Sequence, residues 1–215
     1  MITGRSFDMI LYGRHMTVLN QRSREWDHPY DCITPQQATL SSAGCGVFSI
    51  CHCGQWLTGS YFDPDMLADF SMRNGGRGDD GTDRPVLLSA MMDKGLAKQF
   101  GFRYEHDGLL NDVDKLWHHL EQRKGISLCN LRAGHIVSLL EARNENGERQ
   151  VLVMDSYSET LDCRVVQMVR QVIESSAVTT RIVNGKGHFA GYQTQYAAYW
   201  ASMDSIRDYN LLYRL

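Results

Sequence analysis

The chain lacks the features that would tie it to a membrane or to a nucleic acid. In its 215 residues no apolar run approaches the roughly 20 residues that a membrane span requires. Neither sign of charge is in large excess: the net charge is −3 and no basic run occurs, which excludes the electrostatic footprint of a nucleic-acid binder. The first residues, MITGRSFDMILYGRH, show no charged start followed by a long apolar stretch, so no secretory signal is expected. Cysteine is sparse and unevenly spaced, at Cys32, Cys45, Cys51, Cys53, Cys129 and Cys163, which is not a secreted disulfide framework. A reducing cytoplasm is the expected compartment. Internal repeats, low-complexity segments and linkers are also missing. What remains, 43% hydrophobic and 22% charged residues, suits one globular domain over 1–215 with a sizeable core.

Two kinds of periodicity divide the chain. The stretch FDMILYGRHMTVLN has the β-branched and aromatic residues of one or two strands. Ser41–Thr58 reads as a helix, with Val47, Phe48, Ile50 and Cys51 near one face. Asp63 is the expected N-cap of a further helix with Pro64 as its first residue. Arg73–Pro85 is a Gly/Asp-rich loop, Pro85–Phe100 a helix, and Asn111–Lys124 another that stops before Gly125. After Gly125 the period changes to two. Strands are expected in ISLCNLRAG, in HIVSLLEARNENGERQVLVMDSY on both sides of a turn at NENGER, in CRVVQMVRQVI, in VTTRIVNGKG and in the C-terminal QYAAYWASMD and NLLYRL. Helices over about 1–124 and strands over about 125–215 predict an α+β fold with an antiparallel sheet.

The stretch SSAGCGVFSICHC, Ser41–Cys53, carries the first chemical signal. Cys45 stands between two glycines at a helix start. Helix N-termini and neighbouring cations favour the reactive thiolate. Gly44 and Gly46 are expected to leave the sulfur open to a substrate carbonyl, and unpaired N–H groups of the first helical turn are the donors that an oxyanion needs. The alternative is a small residue packing at a helix start. A metal reading of Cys45, Cys51, His52 and Cys53 fails on spacing, because one helix does not present them tetrahedrally and no second Cys/His pair has zinc spacing.

A nucleophilic cysteine needs a base. His118 and His119 lie mid-helix in a charged stretch and read as solvated; His52 follows Cys45 too closely on the same helix; His15, His28, His106 and His188 have no distinguishing neighbours. His135 opens the strand HIVSLL after Gly134. The next strand, VLVMD, ends at Asp155. A turn near Asn146–Gly147 lies about midway between the two, so an antiparallel pair brings the carboxylate to the imidazole. The alternative is a surface His and a strand-end Asp in a turn with Ser156.

Together, AGCGVFS (Ala43–Ser49), GHIVSLL (Gly134–Leu140) and VLVMDSY (Val151–Tyr157) make the chain resemble the papain-like cysteine peptidases, in particular the bacterial branch related to the leader peptidases of bacteriocin exporters. The resemblance covers about Trp26 to Tyr157 and rests on the order Cys, His, Asp and on helices before sheet. It implies a papain-like fold with Cys45 as nucleophile, His135 as base and acid and Asp155 as its orienter. It implies a peptide or isopeptide-type amide as substrate, and neither cofactor nor metal. Such enzymes usually place a Gln about six residues before the cysteine as an oxyanion donor. Thr39 occupies that position here, and Gln36 and Gln37 stand nine and eight residues upstream, so Gln37 is the side-chain candidate and the backbone N–H of Cys45 the other. Past Asp155 the chain is longer than a minimal member. Gly185, Gly187, His188 and Gly191 belong either to a loop over the cleft or to a hairpin turned at Asn184–Gly185. Two further readings stay open: an acyltransferase that resolves the same thioester with an amine, and a non-catalytic binding domain on the same fold.

Overall fold

Six helices and a six-stranded antiparallel sheet form the frame of the computed structural model, which describes residues 5–32, 37–132, 134–157, 181–183, 189–192 and 198–215. The N-terminal strands β1 (Ser6–Leu11) and β2 (Arg14–Leu19) pair as a hairpin. Then follow α1 (Leu40–Ala43), α2 (Cys45–Thr58), α3 (Pro64–Arg73), the short hairpin β3 (Arg77–Gly78) and β4 (Gly81–Thr82), α4 (Arg84–Asp93), α5 (Leu96–Gln99), β5 (Phe102–Arg103) and α6 (Val113–Glu121). The remaining strands are β6 (Gly125–Leu131), β7 (Ile136–Glu145), β8 (Glu148–Met154), β9 (Arg181–Val183), β10 (Phe189–Tyr192), β11 (Ala198–Ser202) and β12 (Ile206–Arg214). The large sheet runs in the order β11-β8-β7-β6-β12-β5, every neighbour antiparallel. No helix among the described residues is long and apolar enough to cross a membrane.

Helices cover both faces of this sheet. On one side α2 packs with the N-terminal hairpin against Ile126, Leu128, Leu140, Leu152, Met154 and Leu212. On the other, Leu116, Trp117 and Leu120 of α6 meet Cys129, Val137, Leu139, Val151 and Val153. Central strands enclosed this way have no solvent face, which is why Ile136–Leu140 is buried without interruption where a half-exposed strand would alternate. α2 is enclosed too, with every residue from Gly46 to Trp56 buried.

Local chemistry sets the helix ends. Asp63 caps α3, its carboxylate accepting from the Asp65 N–H at 3.0 Å, and Pro64 is the first helical residue, as expected. The helix expected over Ser41–Thr58 is divided at Gly44, which ends α1 and precedes α2. A Cβ on Gly44 would lie 2.5 Å from the Leu40 carbonyl oxygen, so the break requires glycine. The helix expected over Pro85–Phe100 is likewise two, because Gly95 adopts φ 76° between α4 and α5. The Arg73–Pro85 loop contains the β3–β4 hairpin with Asp79 and Asp80 at its exposed tip.

Two of the expected strand segments are only partly described. Cys163–Ile173 lies outside the described residues, as do Gly185, Gly187 and His188. β9 and β10, on either side of residues 184–188, pair antiparallel, with Phe189 opposite Val183 and Tyr192 opposite Arg181. Gly191 belongs to β10.

Candidate active site

The β7–β8 hairpin turns at Asn146 and Gly147, both with positive φ (54° and 87°), the geometry that a two-residue Asn-Gly turn supplies. The Asn144 side chain accepts from the Gly147 N–H at 3.0 Å and closes it. A bulge at Leu140 then shifts the register, from Glu141 opposite Leu152 to Leu139 opposite Val153. Continuing that register sets Asp155 level with Val137, where an unbulged ladder would set it level with Ser138. The bulge thus draws Asp155 one residue, about 3.3 Å, closer to His135. The His135 Nε2–H donates to Asp155 Oδ1 at 2.7 Å. The same oxygen accepts from the Tyr157 N–H at 2.8 Å.

Cys45 reaches this pair from the opposite layer. It is the first residue of α2, half-buried, and its sulfur is near enough to His135 to act on the ring's protonation. Since Asp155 engages Nε2, the ring nitrogen left for the sulfur is Nδ1. Two reciprocal bonds bolt α2 to β7: the Ser49 hydroxyl donates to the Ile136 carbonyl at 3.0 Å, and the Ser138 hydroxyl to the Ser49 carbonyl at 2.8 Å. Both serines are fully buried, and together they fix the distance between the helix that carries Cys45 and the strand that follows His135.

The electrostatics of His135 are a contest. Burial disfavours its charged form, but the hydrogen bonds to Asp155 and Cys45 and their charges outweigh burial and raise its pKa to about 10. These neighbours favour the protonated ring, so His135 is suited to receive a proton. Three thiols in the protein interior are held protonated: burial pushes Cys53 and Cys129 up to about 12, and Cys51 well above its ordinary value.

Several expectations meet a different arrangement. Gly44 and Gly46 do not leave the sulfur open. Leu40 fills the space beside Gly44, and a Cβ on Gly46 would meet Thr82 at 2.5 Å, so these glycines serve close packing of α1 and β4 against α2. Gln37 is exposed at φ 57°, its N–H bonded to Asp31, and it makes no hydrogen bond to Cys45 or His135. Gln36 lies outside the described residues. His119 is not solvated: it is 3% exposed, its Nε2 sits 3.1 and 3.2 Å from the carbonyls of Ile126 and Leu212, and its pKa is lowered by burial. His52 is fully buried, and its Nε2 accepts from the Leu19 N–H at 3.0 Å while Gln55 Oε1 accepts from the Thr17 N–H. These two side chains, one helical turn apart, pair the otherwise open edge of β2. Among the described residues no three His, Cys, Asp or Glu side chains converge on a point that would hold a metal.

The structure adds residues that the sequence did not single out. Gln21, 3% exposed, donates its backbone N–H to the Ser156 carbonyl at 2.9 Å. Its Oε1 accepts from the Ser156 hydroxyl at 3.1 Å, and its Nε2 donates to the Ser41 carbonyl at 3.4 Å. One side chain therefore joins the turn after Asp155 to the helix before Cys45. Tyr157 is exposed beside His135, ring centroids 5.9 Å apart.

Comparison of the chain with family models, with curated proteins and with solved structures finds no match. The site is thus characterised by its own geometry: a half-buried thiol at a helix start, an imidazole beside it, and a buried carboxylate behind the ring.

Proposed function

We propose that the chain is a cysteine peptidase or related amidohydrolase that cleaves a peptide or isopeptide-type amide through a thioester on Cys45. The observation that carries this reading is the single imidazole that adjoins Cys45 on one side and is bonded on the other, at 2.7 Å, to Asp155. The resemblance to papain-like peptidases in the order of the three residues adds support, as does a free thiol suited to a reducing compartment.

The chemistry follows from those contacts. His135 takes the thiol proton and holds it on Nδ1 while Asp155 holds Nε2–H. The sulfur attacks the substrate carbonyl carbon, and the oxyanion that forms faces N–H groups of the first turn of α2, which have no intrahelical acceptor. His135 then passes its proton to the leaving amine as the C–N bond breaks. Water, deprotonated by the ring, attacks the thioester and releases the acid and the thiol.

The test is alkylation by iodoacetamide across pH with mass mapping of all six cysteines. Fast reaction at Cys45, lost in His135→Ala, supports the nucleophile–base pair. Alkylation of Cys45 no faster than that of Cys32 overturns it.

A further inference from the structure

Seven arginines among the described residues lie over aromatic rings, and six of them spend their guanidinium on an acceptor. Arg5 binds Asp65, Arg103 binds Glu105, Arg143 binds Glu145 and Arg149 binds Asp114, while Arg14 and Arg77 donate to the carbonyls of Trp56 and Tyr30. The exception is Arg22. Its guanidinium lies 5.5 Å from the Tyr157 ring, is exposed, and has no hydrogen-bond acceptor or carboxylate partner among the described residues. An unsatisfied fork of N–H donors over an aromatic ring is a ready receptor for a carboxylate.

Its position ties it to the site. The Tyr157 N–H is held by the same Asp155 oxygen that orients His135, and its ring stands 49% exposed next to the imidazole. Arg22 is fixed from below by its N–H, which donates to Asn20 Oδ1 at 3.1 Å, and by its neighbour Gln21, which is bonded to Ser156. His135, Tyr157 and Arg22 thus adjoin one another in that order.

We propose that Tyr157 and Arg22 recognise an anionic group on the leaving-amine half of the substrate. The inference rests on the cysteine-hydrolase reading. His135 gives its proton to the leaving amine, so that half of the substrate lies against the imidazole, and Tyr157 and then Arg22 are the next groups it meets. The substrate class is an amide whose amine portion carries a carboxylate, either an acidic side chain or a terminal carboxylate.

The test uses three reagents that alkylate a thiol with loss of iodide: N-iodoacetyl-glutamine amide, which is neutral, N-iodoacetyl-glutamic acid α-amide, which has a side-chain carboxylate, and N-iodoacetyl-glutamine, which has a terminal one. At low ionic strength at least one anionic reagent is expected to alkylate Cys45 about threefold faster than the neutral one, the scale of an exposed ion pair. The ratio falls to one in Arg22→Gln and in high salt, and the reagent preferred identifies the carboxylate's source. Equal rates in the wild type overturn the inference, as does a preference that survives Arg22→Gln. Failure of all three reagents to favour Cys45 over Cys32 is a different result, which overturns the nucleophile and the inference with it.

Discussion

Asp155→Asn is a clean perturbation of the proposed site because it changes charge and little else. The amide oxygen can still accept from His135 Nε2–H and from the Tyr157 N–H, so the ring stays where it is. The change removes the carboxylate charge, one of the influences that hold the His135 pKa at about 10 against burial. An opposite charge at this range is worth about 1–3 pH units, or ~1.4–4 kcal/mol in favour of the imidazolium. His135 in the variant is therefore expected to titrate lower by that amount. The sign for stability follows. A group whose pKa is raised on folding contributes fully below its unfolded value near 6.5 and loses that contribution as pH rises through about 10. In Asp155→Asn the loss sets in at lower pH. The assay is the chemical shift of the His135 ε1 proton followed from pH 5 to 11, with Cys45→Ala measured alongside because thiol and ring titrate as a coupled pair. Alkylation of Cys45 should be slowed in Asp155→Asn, not abolished. A wild-type titration near 6.5, or one that Asp155→Asn leaves in place, refutes the electrostatic account.

Three other perturbations follow from the same contacts. Ser49→Ala leaves the buried Ile136 carbonyl without its donor, at about 1–3 kcal/mol, and Ser138→Ala removes one net hydrogen bond to a carbonyl that α2 also pairs, at about 0.5–1.5 kcal/mol; thermal melts should fall by about 2–4 °C per kcal/mol, with slower alkylation of Cys45 as α2 loosens from β7. Gln21→Ala removes the link between the Ser156 turn and the helix at Ser41, so both melting temperature and Cys45 alkylation should drop; an unchanged alkylation rate would show that the turn holds Asp155 unaided. His52, held neutral by burial at a pKa of about 3, acts with the opposite sign to His135: the unfolded chain binds a proton there that the folded chain excludes, so stability is lost as pH falls from about 6.5 toward 3. Urea melts at pH 7.5 and 4.5 should show a smaller acid loss in His52→Gln, whose amide oxygen replaces the acceptor for Leu19.

The Cys45–His135–Asp155 arrangement was legible where local pattern controls geometry. An Asn-Gly turn between two period-two runs sets the hairpin register to within one residue, enough to expect His135 and Asp155 together, and a glycine-flanked cysteine before an apolar run marks a helix start. The misreadings have a common physical origin. Gly44 and Gly46 read as open space in the sequence because a missing side chain looks the same whether solvent or Leu40 and Thr82 fills it. His119 shares the charged context of His118, yet successive helical residues point about 100° apart, and its acceptor Leu212 lies 93 positions along the chain. Gln21 and Ser156, 135 positions apart, had no local signal at all. Ser49 and Ser138 did have one. Each is a hydroxyl inside an otherwise apolar run, VFSIC and HIVSLL, and a hydroxyl that is buried must find a partner or cost stability. Two such residues flanking the expected nucleophile and the expected base are the pair to join first, and joining them places α2 against β7, which is the juxtaposition that brings the thiol to the imidazole.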